Sequence, residues 1–132
     1  MEMVLEDDIK EIYKSISPSV SKLHGKTVLI TGAAGFLGRY FMSLLTYSNQ
    51  LSNKEPITII ALDNYITSGK PSGNNILRND KNVEWIVGDA SIGAQLPNKF
   101  DYIIHTAGIA SPEHYRANPL LTIDVTINVT KS

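Results

Sequence analysis

The feature that most constrains the fold is a glycine-rich segment at residues 31–38, which lies between an apolar run and a helical pattern. Residues 27–30 are β-branched or apolar, as expected of a buried parallel strand. Gly32, Gly35 and Gly38 follow at three-residue spacing. Apolar residues then recur at helical spacing, at Phe36, Leu37, Tyr40, Phe41, Leu44 and Leu45. The segment therefore predicts a strand, a tight turn and a helix.

A turn of this kind can bind an anion. Unpaired backbone N–H groups and the positive end of the helix dipole, about half a charge, face the ligand. In such turns the first glycine (Gly32) permits the tight turn, the second (Gly35) the close approach of a pyrophosphate, and the third (Gly38) the close packing of helix on strand. The spacing is not that of a P-loop, because Arg39 stands where that motif needs its Gly-Lys-Ser/Thr ending. The turn alone leaves two interpretations open, a nucleotide site and an ordinary tight turn.

An acidic residue further along the chain favours the nucleotide site. A second apolar run, residues 57–62, ends in Asp63, twenty-five residues past Gly38. The tip of the second strand is where an acid binds the hydroxyl pair of a ribose. The alternative is that Asp63 is only a turn residue that ends the strand.

The rest of the chain predicts an alternation of helices and strands. Apolar residues at helical spacing predict a helix over residues 5–16, which Pro18 ends. Residues 48–56 read as a polar loop, and two further strands are predicted at 83–87 and 100–105. An apolar helix is expected to begin after Pro119.

This alternation implies a parallel sheet with right-handed crossovers. The carboxyl ends of its strands share one edge, and open α/β sheets bind ligands there. Four residues at or just after predicted strand ends are polar or glycine: Gly32, Asp63, Asp89 and Thr106.

Composition narrows the class of protein. The chain has 132 residues, of which 42% are hydrophobic, and a net charge of −1 without a basic run. One domain is expected, with neither nucleic acid nor a membrane as partner. The absence of cysteine excludes disulfides, and with an acidic start unlike a signal peptide it favours the cytoplasm. His24, His105 and His114 lack ligand-like spacing, so no metal site is expected.

Several motifs together resemble the extended short-chain dehydrogenase/reductase family, the NAD-dependent epimerases, dehydratases and decarboxylases of nucleotide sugars. The resemblance begins at about Lys26. Residues 109–119 are most similar to the UDP-glucuronate decarboxylase branch, and residues 63–69 are similar to the matching loop there. The motifs that carry the family resemblance are residues 31–38, 62–64, 88–89 and 105–108.

The resemblance implies a fold and a domain organisation. We expect an α/β, Rossmann-type doubly wound parallel sheet of about four strands in the order 3-2-1-4, with an extra N-terminal helix. Residues 1–25 would form a helical extension, and residues 26–132 an NAD-binding domain truncated before the catalytic helix.

It also implies NAD as cofactor and a role for each matching position. The expected contacts are Gly32, Gly35, Phe36, Leu37 and Gly38 for the pyrophosphate, Asp63 for the adenosine ribose, Asn64, Asp89 and Ala90 for the adenine, and Thr106, Ala107 and Gly108 for the path toward the nicotinamide. An acid at Asp63 favours NAD over NADP, because it would repel a 2′-phosphate. Tyr115 matches a tyrosine near the sugar in the decarboxylase branch. The alternative interpretation of Tyr115 is that it is an aromatic residue of a loop and packs on the following helix.

The family's catalytic pair is missing from this chain. Catalysis in the family uses Tyr-x-x-x-Lys, in which the lysine lowers the pKa of the tyrosine that acts as general acid and base. None of the six tyrosines is followed by lysine four positions later. A second departure is Thr126, which stands where an ungapped comparison places a family asparagine. We therefore assign no catalytic residue and expect the 132-residue chain to be inactive alone.

The expected function is that of the NAD-binding portion of a nucleotide-sugar epimerase, dehydratase or decarboxylase. The sugar, most simply a UDP-sugar, would be oxidised at C4 with NAD as transient hydride acceptor, as in an oxidoreductase or lyase. Two alternatives stay open: a non-catalytic dinucleotide-binding regulator, and an interaction module that docks through its N-terminal helix. An uncovered sheet edge predicts self-association, as a homo-oligomer, or poor stability.

Overall fold

The computed structural model describes residues 6–65, 80–89, 96, 99–108, 116, 117, 119, 120, 123 and 127. Within them the chain forms helix α1, strand β1, helix α2 and strands β2, β3 and β4. The strands make one parallel sheet in the order β3-β2-β1-β4. The element bounds are α1 Glu6–Ser21, β1 Thr27–Thr31, α2 Phe36–Leu51, β2 Thr58–Asp63, β3 Val83–Val87 and β4 Tyr102–His105. The predicted Rossmann-type order 3-2-1-4 and the extra N-terminal helix are both confirmed.

The register of the sheet brings three strand ends level. Thr31, the last residue of β1, pairs with Leu62 of β2 on one side and with His105 of β4 on the other. The next residues along the three chains therefore emerge side by side at the carboxyl edge, as the topology predicts. They are Gly32, Asp63 and Thr106.

The two faces of the central strands are buried in different clusters. Val28 and Ile30 of β1 face the helices, and the intervening Leu29 faces the opposite side. Burial on both faces explains why β1 and β2 read as continuous apolar runs rather than as alternating patterns. The helix-side cluster consists of Ile9, Val20, Val28, Ile30, Ala33, Met42, Leu44, Leu45, Ile57, Ile59 and Ala61.

Helix α1 is part of this core. Ile9 and Val20 are 5% and 4% exposed and belong to the helix-side cluster. The ring of Tyr13 stands perpendicular to that of Tyr47 on α2, with 5.3 Å between the ring centroids. The apolar face of α1 is therefore covered by α2, which favours the packing role of this helix over a docking role.

The prediction that Pro18 ends this helix is wrong. Helix α1 runs to Ser21 with Pro18 inside it. Proline has no N–H group, so the carbonyl of Lys14 loses its helical partner. Both residues are exposed, so water can reach that carbonyl, and buried Val20 anchors the last turn. Tertiary packing thus outweighs the local preference of proline.

Helix α2 also extends further than predicted, because Ser48 belongs to the helix and not to the loop. Ser48 is fully buried, and its hydroxyl lies 2.9 Å from Nε2 of His24. Nδ1 of the same ring donates to the carbonyl of Glu55 at 3.0 Å. These bonds satisfy a polar group that would otherwise be costly to bury, and they give His24 a structural role.

Helical backbone recurs near the C-terminus. It is present at Arg116 and Ala117, so it starts before Pro119 and not after it as predicted. It is also described at Pro119, Leu120, Ile123 and Ile127. Among the described residues, no helix combines the length and the apolar character needed to cross a membrane.

The core position of α1 predicts different costs for two isoleucines of the same helix. Ile9→Ala should lower the free energy of unfolding by about 2–4 kcal/mol, because it leaves a cavity between α1 and α2. Ile12, which is 37% exposed, is the matched control, and Ile12→Ala should cost less than about 1 kcal/mol. Urea unfolding followed by circular dichroism measures both. Equal losses would contradict the packing described for α1.

A hydrogen bond between the two helices predicts a pH dependence. The Tyr40 hydroxyl donates to Asp8 at 3.1 Å, and this bond, followed by burial and the charge of Asp8, raises the pKa of Tyr40. The bond therefore stabilises the fold fully below about pH 10, the ordinary tyrosine value, and the gain is lost as pH rises through the higher folded value. Tyr40→Phe should be less stable than wild type at pH 7, and the difference should close in alkali.

Urea unfolding at pH 7 and pH 10.5 measures this difference, and the control is the same substitution in an Asp8→Ala background, where no difference is expected at either pH. A difference that persists without Asp8 would show that another contact is responsible.

Candidate functional site

The glycine-rich turn packs against the segment that follows β4. Gly32 has a φ of +70°, a conformation that L side chains rarely adopt. A Cβ at this position would also lie 2.6 Å from the backbone nitrogen of Ala107. Both the tight turn and the close approach therefore require glycine here.

The other two glycines differ in what surrounds them. A Cβ at Gly38 would fall on the carbonyl oxygen of Gly32 and lie 2.7 Å from Cα of Ala33. The close packing expected of Gly38 is thus between α2 and the turn itself. At Gly35, a Cβ would lie 3.2 Å from the Gly32 carbonyl and within 4 Å of no other group in the described part of the chain. This leaves the space that the approach of a pyrophosphate would require.

The turn is tied to β2 by backbone and side-chain bonds. The N–H groups of Gly32 and Ala33 donate to the carbonyl of Leu62 at 2.8 and 3.2 Å. The next N–H group, that of Ala34, donates to Oδ2 of Asp63 at 2.9 Å. Backbone and side-chain groups of β2 therefore hold the turn in place.

Helix α2 begins at this turn with N–H groups that have no acceptor within the helix. Its first backbone bond runs from the N–H of Arg39 to the carbonyl of Gly35, at 3.0 Å. The N–H groups of Phe36, Leu37 and Gly38 come before that bond and lack an acceptor within the helix. The N-cap residue, Gly35, contributes no side-chain cap. Three donors and the positive end of the helix dipole thus lie together at the carboxyl edge of the sheet.

Asp63 is ordered by two bonds and keeps acceptor capacity. Its Oδ1 accepts from the N–H of Tyr65 at 2.7 Å, and its Oδ2 from that of Ala34. An ionised carboxylate offers about four lone-pair sites, so a ribose diol can be bound in addition. Tyr65 is buried and has a φ of 58°, and its bond to Asp63 helps to hold this uncommon backbone conformation.

Strand β4 is joined to β1 and to the turn by side chains. The Thr106 hydroxyl donates to the carbonyl of Thr31 at 2.7 Å and also lies 3.2 Å from that of Gly32. The hydroxyl of Thr31 is hydrogen-bonded to Nδ1 of His105. His105 is thus the last residue of its strand, as the sequence indicates, and its ring links β4 to β1.

Most of the predicted cofactor residues meet around this turn. Asp63, Thr106 and Ala107 contact it directly, Asn64 follows Asp63, and Asp89 lies two residues after β3. Gly108 is exposed, and a Cβ there would meet no group of the described residues within 4 Å. Ala90 and Tyr115 lie outside the described residues.

Sequence reasoning missed two features of the site. Ala34 binds the Asp63 carboxylate, and the Thr106 hydroxyl bonds the turn. The second could have been expected if β1 and β4 were assumed to end level. Thr31 then pairs with His105, and Thr106 lies beside Gly32. The described part of the chain contains no group of three or more His, Asp or Glu side chains that could bind a metal ion.

The environments of the glycines predict different losses of stability when each glycine is replaced by alanine. Gly38→Ala should lower the free energy of unfolding by about 1–3 kcal/mol or more, because its Cβ would collide with turn backbone. Gly35→Ala should cost less than about 1 kcal/mol, since only one carbonyl needs to move. Gly108→Ala is the control and should be neutral. Urea unfolding measures all three, and equal losses at Gly35 and Gly38 would refute the packing described.

Comparison with known proteins finds relatives that are named UDP-glucuronic acid decarboxylases. The chain is 29% identical over 106 residues to UDP-glucuronic acid decarboxylase 2 of Arabidopsis thaliana, covering 80% of this chain and 22% of the relative. It is 32% identical over 102 residues to UDP-glucuronic acid decarboxylase 4 of the same plant, covering 76% and 20%. The chain thus spans about a fifth of the length of these relatives.

The chain is also similar to solved structures of epimerases. An epimerase from Methanothermobacter thermautotrophicus matches with a TM-score of 0.66 at 22% identity, covering 89% of this chain and 33% of that one, which shows the shared fold. A UDP-N-acetylglucosamine 4-epimerase from Methanobrevibacter ruminantium, solved with UDP-N-acetylmuramic acid, matches with a TM-score of 0.50 at 26% identity, covering 79% and 31%.

The family-level match covers the turn, the acidic strand end and the segment after β4. Residues 28–132 match the model of the NAD dependent epimerase/dehydratase family, whose members bind NAD(P). With residues 28–132 matched, and with a glycine-rich turn, a helix N-terminus and an acid together at one edge of the sheet, this chain belongs to the NAD dependent epimerase/dehydratase family.

Proposed function

We propose that this chain is the NAD-binding portion of an enzyme that acts on a nucleotide sugar by UDP-glucuronate decarboxylase-like chemistry. The observation that carries the proposal is the uncapped start of α2, where the N–H groups of Phe36, Leu37 and Gly38 lie beside the open space at Gly35. Asp63 lies one hydrogen bond away from the same turn. An anion site and a hydroxyl acceptor at this spacing suit a pyrophosphate with an attached ribose.

The proposal assigns residues to each part of NAD. The turn and the start of α2 would bind the pyrophosphate, and the free lone pairs of Asp63 the adenosine ribose. A carboxylate there would repel a 2′-phosphate, which favours NAD over NADP. The remaining assignments are Asn64, Asp89 and Ala90 beside the adenine, Thr106, Ala107 and Gly108 toward the nicotinamide, and Tyr115 near the sugar.

The reaction that we propose begins with oxidation of the sugar at C4 and continues by decarboxylation, dehydration or epimerisation. Bound NAD supplies the hydride acceptor. The names of the two plant relatives favour decarboxylation of UDP-glucuronate. These 132 residues contain no Tyr-x-x-x-Lys pair, so the chemistry would belong to a longer protein in which residues 26–132 bind the cofactor and residues 1–25 pack on them.

Two further parts of the proposal concern the setting of the enzyme. A cytoplasmic location agrees with the lack of cysteine. Self-association is expected because β4 is an edge strand whose Tyr102 and Ile103 are 46% and 56% exposed in the described part of the chain. Size-exclusion chromatography with light scattering reports the second directly.

A non-catalytic dinucleotide-binding regulator remains the alternative from another class. It predicts the same NAD site without a Tyr-x-x-x-Lys pair in the full-length protein, so the presence or absence of that pair distinguishes the two. The interaction module is disfavoured, because the face of α1 that would dock contains the buried residues Ile9 and Val20.

Calorimetric titration of NAD and NADP tests the proposal. Wild type should bind NAD more tightly than NADP. Asp63→Ala should weaken NAD binding by about tenfold or more, as expected for loss of bonds to a charged group, and should narrow the preference over NADP because the repulsion is removed. Asp101→Ala is the matched control, since that carboxylate accepts from the N–H of Thr27 at the opposite edge of the sheet.

Unchanged nucleotide affinity in the control would assign the effect to the site rather than to loss of any strand-end carboxylate. A folded wild-type chain that binds neither nucleotide would contradict the proposal for these 132 residues.

A further inference from the structure

The side chain of Thr106 lies where β1, the glycine-rich turn and the segment after β4 meet. Its hydroxyl is 2.7 Å from the carbonyl oxygen of Thr31 and 3.2 Å from that of Gly32. A hydroxyl has one proton to donate, so the two carbonyls share it. The backbone N–H of Thr106 already donates to Thr31 at 3.0 Å, in continuation of the sheet. The bond to Gly32 is therefore the new link that this side chain adds.

The carbonyl of Gly32 is the central group of the turn. It accepts the N–H of Gly35 at 3.0 Å, and a Cβ at Gly38 would fall on it. Its direction thus sets both the curvature of the turn and the position at which α2 starts. A donor that fixes this one carbonyl also fixes the N–H groups that follow it.

The turn is held from both neighbouring strands, by opposite kinds of group. From β2, the Asp63 carboxylate accepts the N–H of Ala34. From the β4 side, the Thr106 hydroxyl donates toward the carbonyl of Gly32. An acceptor on one side and a donor on the other restrain the rotation of the intervening peptide groups. Ala107, next in the chain, lies against Gly32 itself.

We propose that Thr106 is a positioning residue, whose hydroxyl couples the phosphate-binding turn to the backbone after β4. The coupling keeps the pyrophosphate side and the nicotinamide side of the site in one relative position before a ligand arrives. The part of this inference that concerns the ligand rests on the proposed function. The hydrogen bonds that carry the coupling do not depend on it.

Two substitutions separate the hydroxyl from the shape of the side chain. Thr106→Val keeps the branched shape and removes the proton, whereas Thr106→Ser keeps the proton and removes a methyl group. If the hydroxyl only donates to the carbonyl of Thr31, neither substitution should change hydrogen exchange at the Gly35 amide. If it positions the turn, valine releases that amide and serine does not.

The test is amide hydrogen exchange by NMR on the 132-residue chain, read at Gly35 relative to Leu29 and Ile60 in the buried strands. Thr106→Val should speed the relative exchange of Gly35 by about two- to tenfold, the factor expected for one hydrogen bond, and Thr106→Ser should leave it as in wild type. Unchanged exchange in the valine variant, or equal acceleration in both, would overturn the proposal. If the valine variant does not fold, Thr106→Ala compared with Thr106→Ser decides in the same way.

A parallel titration with NAD separates this inference from the proposed function. The valine variant should bind NAD about two- to tenfold more weakly and the serine variant like wild type. If wild type binds NAD and the valine variant binds it equally tightly, Thr106 does not position the site. Failure of wild type to bind NAD would refute the proposed function, while the exchange at Gly35 still decides whether Thr106 positions the turn.

Discussion

The structure of the site depends on the contact between the glycine-rich turn and the ends of three adjacent strands. Because Thr31 ends level with Leu62 and His105, the chain leaves β1 into a space bounded on both sides by backbone. Only a residue without a Cβ can turn there, and Gly32 does so at positive φ. The start of α2, the position of Asp63 and the bonds of Thr106 all follow from this turn.

A consequence is that hydrogen bonds within the protein orient the groups of the site. The N–H groups of Gly32, Ala33 and Ala34 are used by β2, and those at the start of α2 are left for an anion. Binding then orders few protein groups, which lowers its entropic cost. Asp63 is likewise oriented within the protein, because its carboxylate accepts from two backbone N–H groups and still has lone pairs to offer.

The parts of the fold that depend on local pattern could be predicted from the sequence, and those that depend on register could not. Buried runs and the spacing of three glycines are local signals, so the strands, the turn and the start of α2 were predicted from them, and the strand order was implied by the family resemblance. Pro18 was misjudged because its neighbour Val20 is anchored by contacts with residues distant in sequence. The bonds of Asp63 to Ala34 and of Thr106 to Gly32 join residues 29 and 74 positions apart, and no periodicity reports such pairs.

We propose that the start of α2 and the end of β2 form one dinucleotide site. The most direct measurement is a ¹⁵N NMR titration of the 132-residue chain with NAD. We expect saturable shifts at the amides of residues 35–38 and at Asp63 and Asn64, and none at the amino edge around Thr27 and Asp101. Saturable shifts confined to other surfaces, or none in the turn of a folded chain at millimolar NAD, would contradict it.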